Sequence, residues 1–150
     1  MSRIDVSGII HTMGQLKERK TVFIADDDPA AIEMLKLLCK LEGLATTEIL
    51  AQDSPASILE KAQEADIGLL DIEMPGRIDG IKLVSIVREK LPDMPIILAS
   101  CNGGYNVAAE ELNCGFEKKP FEDLDHLFKM LSGACAVREP VNTIQELIHA

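Results

Sequence analysis

Val22-Phe23-Ile24-Ala25-Asp26-Asp27-Asp28-Pro29 is the stretch that decides how this chain reads. Four apolar residues run straight into three acids, and the last acid stands before a proline. A short unbroken apolar run with polar ends suits a strand buried on both faces. Asp28-Pro29 suits a helix start, because Asp accepts from the first free backbone N–H groups and Pro fits the first turn. Ile32, Leu35, Leu38 and Cys39 then recur at helical spacing, and Gly43 suits the stop.

The same unit repeats outward from there. Residues 44–50 read as a second strand, and Ser54-Pro55 opens a second helix with Ile58, Leu59 and Ala62 on its inner side. Residues 67–70 form a third apolar run that ends at Asp71. Asp79-Gly80 then precedes a helix carrying Ile81, Val84, Ile86, Val87 and Leu91. Residues 96–99 run into Ser100, and Gly103-Gly104 breaks the chain before a short helix over 106–112. Residues 114–118 lead to Lys119-Pro120 and a last helix over 122–131. Strict alternation of strand and helix predicts right-handed crossovers and a doubly wound α/β fold: five parallel strands with helices on both faces. In such sheets the ligand site lies beyond the carboxyl ends of the strands. Asp26, Asp27, Asp71, Ser100 and Lys119 all fall there.

Composition narrows the function. The chain has 150 residues, with Lys+Arg 15 against Asp+Glu 25 and a formal charge of −10. That is the length of one domain, and its acidity opposes direct binding to nucleic acid. No apolar stretch reaches the roughly 18 residues that span a bilayer, so no membrane partner is expected. The N-terminus lacks the apolar core of a secretory signal. Cys39, Cys101, Cys114 and Cys135 show neither close pairing nor zinc spacing, which favours a reducing, cytoplasmic setting. Residues 1–20 read as an extension, either an arm or a short amphipathic helix carrying Ile9, Ile10, Met13 and Leu16. The domain runs over 21–137. Residues 138–150 are a tail with room for a short helix near 143–148.

The strand-end residues suit one chemistry. Three carboxylates brought together repel each other, and a hard cation relieves the repulsion. Oxygen donors with room for water suit Mg²⁺. Asp27 and Asp71 read as direct ligands, Asp26 as a nearby or water-mediated one, and a loop carbonyl at Glu73 as a further donor. Asp71, alone at its strand end, could attack phosphorus to form an acyl phosphate, with Lys119 and Ser100 contacting the phosphoryl oxygens. Each residue alone has a plain reading as a cap, turn or loop residue. Their joint placement is what points to a site.

From Thr21 to about Leu131 the chain resembles the receiver domain of two-component response regulators. The matching motifs are Val22 to Pro29, Leu70-Asp71-Ile72-Glu73-Met74-Pro75 with Asp79-Gly80, Pro95 to Ser100, and Lys118-Lys119-Pro120-Phe121. The resemblance implies a flavodoxin-like sheet of order 2-1-3-4-5. It implies Asp71 as phosphoacceptor, charged by a sensor histidine kinase or histidine phosphotransfer protein, and Asp26 with Asp27 as the Mg²⁺ pair. Ser100 would be the switch hydroxyl, Lys119 the family's lysine and Phe116 the switch aromatic. It further implies a cis bond at Lys119-Pro120 and a downstream protein target or homodimer at the face of the fourth helix, fifth strand and last helix. The segment from Ser100 to Lys119 is shorter than the family's usual form. Nothing after residue 131 has the length of an output domain, so a stand-alone receiver that signals by protein contact is expected. It would be no enzyme beyond its own phosphoryl transfer and slow loss of phosphate. Two other classes stay open: a pseudo-receiver that takes no phosphate, and a Mg²⁺-dependent aspartyl phosphohydrolase.

Overall fold

The computed structural model describes residues 20–137, and their order is the alternation read from the sequence. Strands are β1 (Thr21–Ala25), β2 (Ala45–Glu48), β3 (Ile67–Asp71), β4 (Ile96–Ser100) and β5 (Gly115–Lys118). Helices are α1 (Pro29–Leu41), α2 (Pro55–Gln63), α3 (Gly80–Lys90), α4 (Tyr105–Glu111) and α5 (Leu124–Val137). The expectations for residues 1–19, and for a helix near 143–148, lie outside the described residues.

All neighbouring strands pair in parallel, in the order β2-β1-β3-β4-β5. The five residues of β3 and of β4 are all buried, which is why both strands are apolar up to their last residues, Asp71 and Ser100. The edge strands β2 (Ala-Thr-Thr-Glu) and β5 (Gly-Phe-Glu-Lys) are more polar and only half-buried over most of their length. Alternate residues feed two cores. Phe23, Ala25, Leu70 and Leu98 pack with Ile58, Leu83 and Val87 on one face. Val22, Ile24, Leu69 and Ile97 pack with Leu35, Cys39 and Leu127 on the other. Each fully buried Leu, Ile or Phe contributes roughly 1.5–3 kcal/mol of hydrophobic stabilisation.

Local chemistry sets the helix starts. Asp28, Ser54 and Asp79 accept from Ala30, Ser57 and Lys82 N–H groups, and Pro29 and Pro55 occupy first turns. Several boundaries differ from the sequence reading. β2 is shorter than 44–50, although Leu44 and Ile49 are buried beside it. Beyond it, Asp53 accepts the Leu50 N–H at 2.7 Å and turns the chain. The last helix begins at Leu124 rather than 122, because Asp123 accepts the His126 N–H at 2.9 Å as a cap. It continues to Val137. The segment between Ser100 and Lys119 holds a seven-residue α4, one residue earlier than expected and without a side-chain cap at Gly104. Arg88 of α3 holds its far end by donating to the carbonyls of Leu112 and Asn113, and also donates to the Met94 carbonyl before β4. Lys119-Pro120 is cis.

Gly80 ties α3 to the site. A Cβ there would lie 2.5 Å from the Asp71 carbonyl oxygen, backbone that cannot step aside. Gly80→Ala is therefore expected to destabilise the fold by about 1–3 kcal/mol in urea denaturation. An unchanged midpoint would show that α3 is not seated this closely.

Candidate functional site

Strand register brings the polar ends together. Ala25 pairs with Leu70, Asp71 with Ala99, and Ser100 with Lys118. Asp26, Asp71, Ser100 and Lys119 therefore crowd one edge of the sheet, and three of them are buried: Asp26, Asp71 and Ser100.

The carboxylates of Asp26, Asp27 and Asp71 offer oxygens that all lie within 4.8 Å of one another. Each buried acid is held from two sides. Asp26 accepts the Asp28 N–H at 3.0 Å and the Lys119 ammonium at 2.8 Å. Asp71 accepts the Glu73 N–H at 3.2 Å and the same ammonium at 3.4 Å. Lys119 thus bridges two like charges and offsets part of their repulsion. Asp27 is exposed, which leaves one side of the cluster open to solvent. Three hard oxygen donors with an open side match what Mg²⁺ requires, since that ion keeps several of its waters.

The fields at this site oppose each other. Burial pushes the Asp71 carboxyl up, Lys119 pulls it down and Asp26 pushes it up again, so that it titrates at about 6. Burial works against the Lys119 ammonium, but its bonds to Asp26 and Asp71 outweigh that and raise it above the ordinary lysine value.

Ser100 has no exposure, and its hydroxyl is already engaged. It donates to Glu73 Oε1 at 2.7 Å and accepts the Asn102 N–H at 3.0 Å. Sequence reasoning nominated only the backbone carbonyl of Glu73; its N–H and its carboxylate are what touch Asp71 and Ser100. Phe116 stands apart from the acids. It is half-buried against the core beneath α2, α3 and α4.

Arg77 was missed altogether. Its guanidinium donates to the Ile49 carbonyl at 2.9 Å and to the Asp26 carbonyl at 3.4 Å, pinning the loop after β3 to the ends of β1 and β2. It also lines a cavity of about 520 Å³ beside the cluster, with Asp26, Asp27, Glu33 and Glu48. A lone loop arginine carries no periodicity that could have marked it.

Known proteins are similar to this chain in sequence and in fold. The family described as response regulator receiver domain matches residues 22–132. The transcriptional regulatory protein FixJ of Bradyrhizobium diazoefficiens is 30% identical over 124 residues, covering 79% of this chain and 58% of that protein. The C4-dicarboxylate transport transcriptional regulatory protein DctD of Pseudomonas aeruginosa is 32% identical over 126 residues, covering 80% of this chain and 26% of that protein. The chain therefore spans about three fifths of one relative and about a quarter of the other. A response regulator receiver protein from Sinorhizobium medicae superposes with a TM-score of 0.66 at 22% identity, covering 81% of this chain and 98% of that one. At that identity the likeness shows the fold.

The raised Asp71 carboxyl makes stability depend on pH. The folded state binds this proton more tightly than the unfolded chain, whose carboxyl titrates near the ordinary aspartate value of 3.8. Without divalent cations, stability is expected to fall as pH rises from about 4 to about 6, then level off. Asp71→Asn removes that charge and should stabilise the metal-free fold by on the order of 1–2 kcal/mol above pH 6, with the gain vanishing below pH 4. Denaturation across this pH range checks it; a gain independent of pH would contradict it.

Proposed function

Because the chain belongs to the response regulator receiver domain family, we propose that Asp71 is its phosphoacceptor, charged from a phosphohistidine with Mg²⁺ bound beside it. The observation that carries this reading is the meeting of Asp26, Asp27 and Asp71 under one lysine, with a buried serine hydroxyl at the next strand end.

In the proposed transfer an Asp71 carboxylate oxygen attacks phosphorus. A P–O bond forms, the P–N bond to the donor imidazole breaks, and the leaving nitrogen takes up a proton. Asp26, Asp27 and Asp71, with the Glu73 carbonyl, would hold the ion. Bound Mg²⁺ supplies charge stabilisation at the phosphoryl oxygens. Lys119 is placed to leave Asp26 and contact a phosphoryl oxygen. The Ser100 hydroxyl is placed to do the same once it lets go of Glu73. Its movement, with Phe116 behind it, would change the α4-β5-α5 face that meets a downstream protein or a second copy.

The partners follow from this reading: a sensor histidine kinase or histidine phosphotransfer protein upstream, and a protein target downstream. The named relatives are transcriptional regulators, while this chain carries −10 and is proposed to act without touching nucleic acid. Among the described residues no helix is long and apolar enough to cross a membrane. Free thiols at Cys39, Cys101 and Cys114 suit a reducing, cytoplasmic setting. The chain is proposed to be a signalling domain whose only chemistry is its own phosphoryl gain and slow loss, with residues 21–137 forming the receiver unit.

Incubation with an acyl phosphate and Mg²⁺, followed by intact and peptide mass spectrometry, should place one phosphoryl group on Asp71. Omitting Mg²⁺ or substituting Asp71→Asn should abolish it. Equal behaviour of wild type and D71N would leave a pseudo-receiver, and rapid turnover of assorted phosphomonoesters would indicate a phosphohydrolase.

The Ser100–Glu73 bond adds a sharper expectation. Serine has one proton to donate, so the Glu73 carboxylate competes with a phosphoryl group for it. Glu73→Ala should raise the phosphorylated fraction about five-fold, equivalent to about 1 kcal/mol for a partly exposed contact. In a Ser100→Ala background that gain should disappear. A gain of equal size in both backgrounds would show that Glu73 acts through its charge alone.

A further inference from the structure

We infer that Arg77 sets the geometry of the cation site, and with it the discrimination between Mg²⁺ and Ca²⁺. The inference rests on the proposed cation binding at Asp26, Asp27 and Asp71. The oxygens of that site come from two stretches of chain: Asp26 and Asp27 after β1, and Asp71 with the Glu73 carbonyl at the end of β3. The two strands pair residue by residue as far as Ala25 and Leu70. Beyond those residues the sheet no longer fixes one stretch against the other.

Two side chains take over there. Lys119 joins the acids themselves, at 2.8 Å from Asp26 and 3.4 Å from Asp71. Arg77 joins the main chain. It is half-buried, and its guanidinium donates to the Asp26 carbonyl at 3.4 Å and to the Ile49 carbonyl at 2.9 Å. The Asp26 carbonyl belongs to the peptide that leads into Asp27, so this bond orients the exposed acid through its backbone. Ile49 is a firm second anchor. Its side chain is buried, and its N–H donates to the Ile24 carbonyl at 2.8 Å. The residues on either side are tied as well: the Glu48 carbonyl accepts from Lys61 at 2.8 Å, and the Leu50 N–H donates to Asp53 at 2.7 Å. At the other end, the Arg77 N–H donates to the Met74 carbonyl at 3.2 Å and closes the loop that carries Glu73.

The two ties behave differently once the site is loaded. In the proposed transfer Lys119 leaves Asp26 for a phosphoryl oxygen, so its bridge between the two stretches loosens. The Arg77 acceptors are carbonyls outside the proposed ligand set, so its tie persists. Losing that tie bears unequally on the two ions. Mg²⁺ needs a near-ideal octahedron at about 2.0–2.1 Å, whereas Ca²⁺ accepts roughly six to eight oxygens in flexible arrangements. Letting Asp27 drift from Asp71 and Glu73 therefore costs Mg²⁺ more than Ca²⁺. The guanidinium also lines the cavity beside Asp26 and Asp27, where its charge alone would repel any dication. Geometry and charge thus predict opposite effects of removing it: loosening weakens Mg²⁺ binding, and relief of repulsion strengthens it.

Separate Mg²⁺ and Ca²⁺ titrations of the full chain, followed through its amide resonances by nitrogen-15 NMR, test the inference. Arg77→Lys keeps the charge but loses the planar fork that spans two carbonyls. It should weaken Mg²⁺ binding about five- to ten-fold and Ca²⁺ binding less than about two-fold. Arg77→Met should also weaken Mg²⁺ binding, despite the lost repulsion. Urea denaturation of each variant shows that the titrated protein is folded, and a general loss of stability would not separate the two ions. A Lys variant that binds both ions like wild type would overturn the inference. So would a Met variant that binds Mg²⁺ more tightly, or a loss of equal size for the two ions. A wild-type chain that binds no Mg²⁺ would overturn the reading of the acids as a cation site, and this inference with it. Wild-type binding with unchanged variants would overturn the inference alone.

Discussion

The site rests on one ion cluster, the Lys119 ammonium held between Asp26 at 2.8 Å and Asp71 at 3.4 Å. The parallel register leaves the sheet no freedom here, because β1 and β3 pair residue by residue up to Ala25 and Leu70 and must end in adjacent acids. Burying two carboxylates side by side opposes folding unless a positive charge answers them. Lys119 supplies that charge from a third element, the turn after β5. With Asp27 added, the negative charge still exceeds what one lysine can balance. The cluster is folded and short of cations at once, which is the condition under which an incoming hard cation lowers its energy.

Much of this was legible in the sequence because it repeats. Buried parallel strands must be apolar on both faces, so β1, β3 and β4 appear as runs such as Ile96-Ile97-Leu98-Ala99. Helices open with a cap and often a proline, so Asp28-Pro29 and Ser54-Pro55 mark their own positions. Strand ends then locate the polar residues without any knowledge of side-chain direction. The edge strand β2 was harder, since its Ala-Thr-Thr-Glu is half-solvated and the apolar residues around it suggested a longer run. The start of α5 was harder too, because no periodicity marks it and it is set by the bond from the His126 N–H to Asp123.

What the sequence concealed lies in the loops. Glu73 and Arg77 belong to the segment after β3, where no period relates one residue to the next. The reach of Arg77 to Asp26 and Ile49, and of the Glu73 carboxylate to Ser100, depends on rotamers and on a turn that passes through Gly76 at positive φ. These two side chains connect what the strands merely bring near. Arg77 fixes the loop to β1 and β2, and Glu73 occupies the Ser100 hydroxyl in the form of the protein seen here. The acids are therefore a property of the sheet, whereas the hold on the Ser100 hydroxyl is a property of the loop.

The most direct measurement is the carboxyl titration of Asp71, followed by carbon-13 NMR with and without Mg²⁺. In the metal-free protein the Asp71 resonance should titrate at about 6, because burial and Asp26 together outweigh Lys119. Saturating Mg²⁺ should move that midpoint well below the ordinary aspartate value of 3.8, since a bound dication favours the ionised carboxylate. An ordinary midpoint that Mg²⁺ leaves unchanged would contradict a cation-binding cluster centred on Asp71.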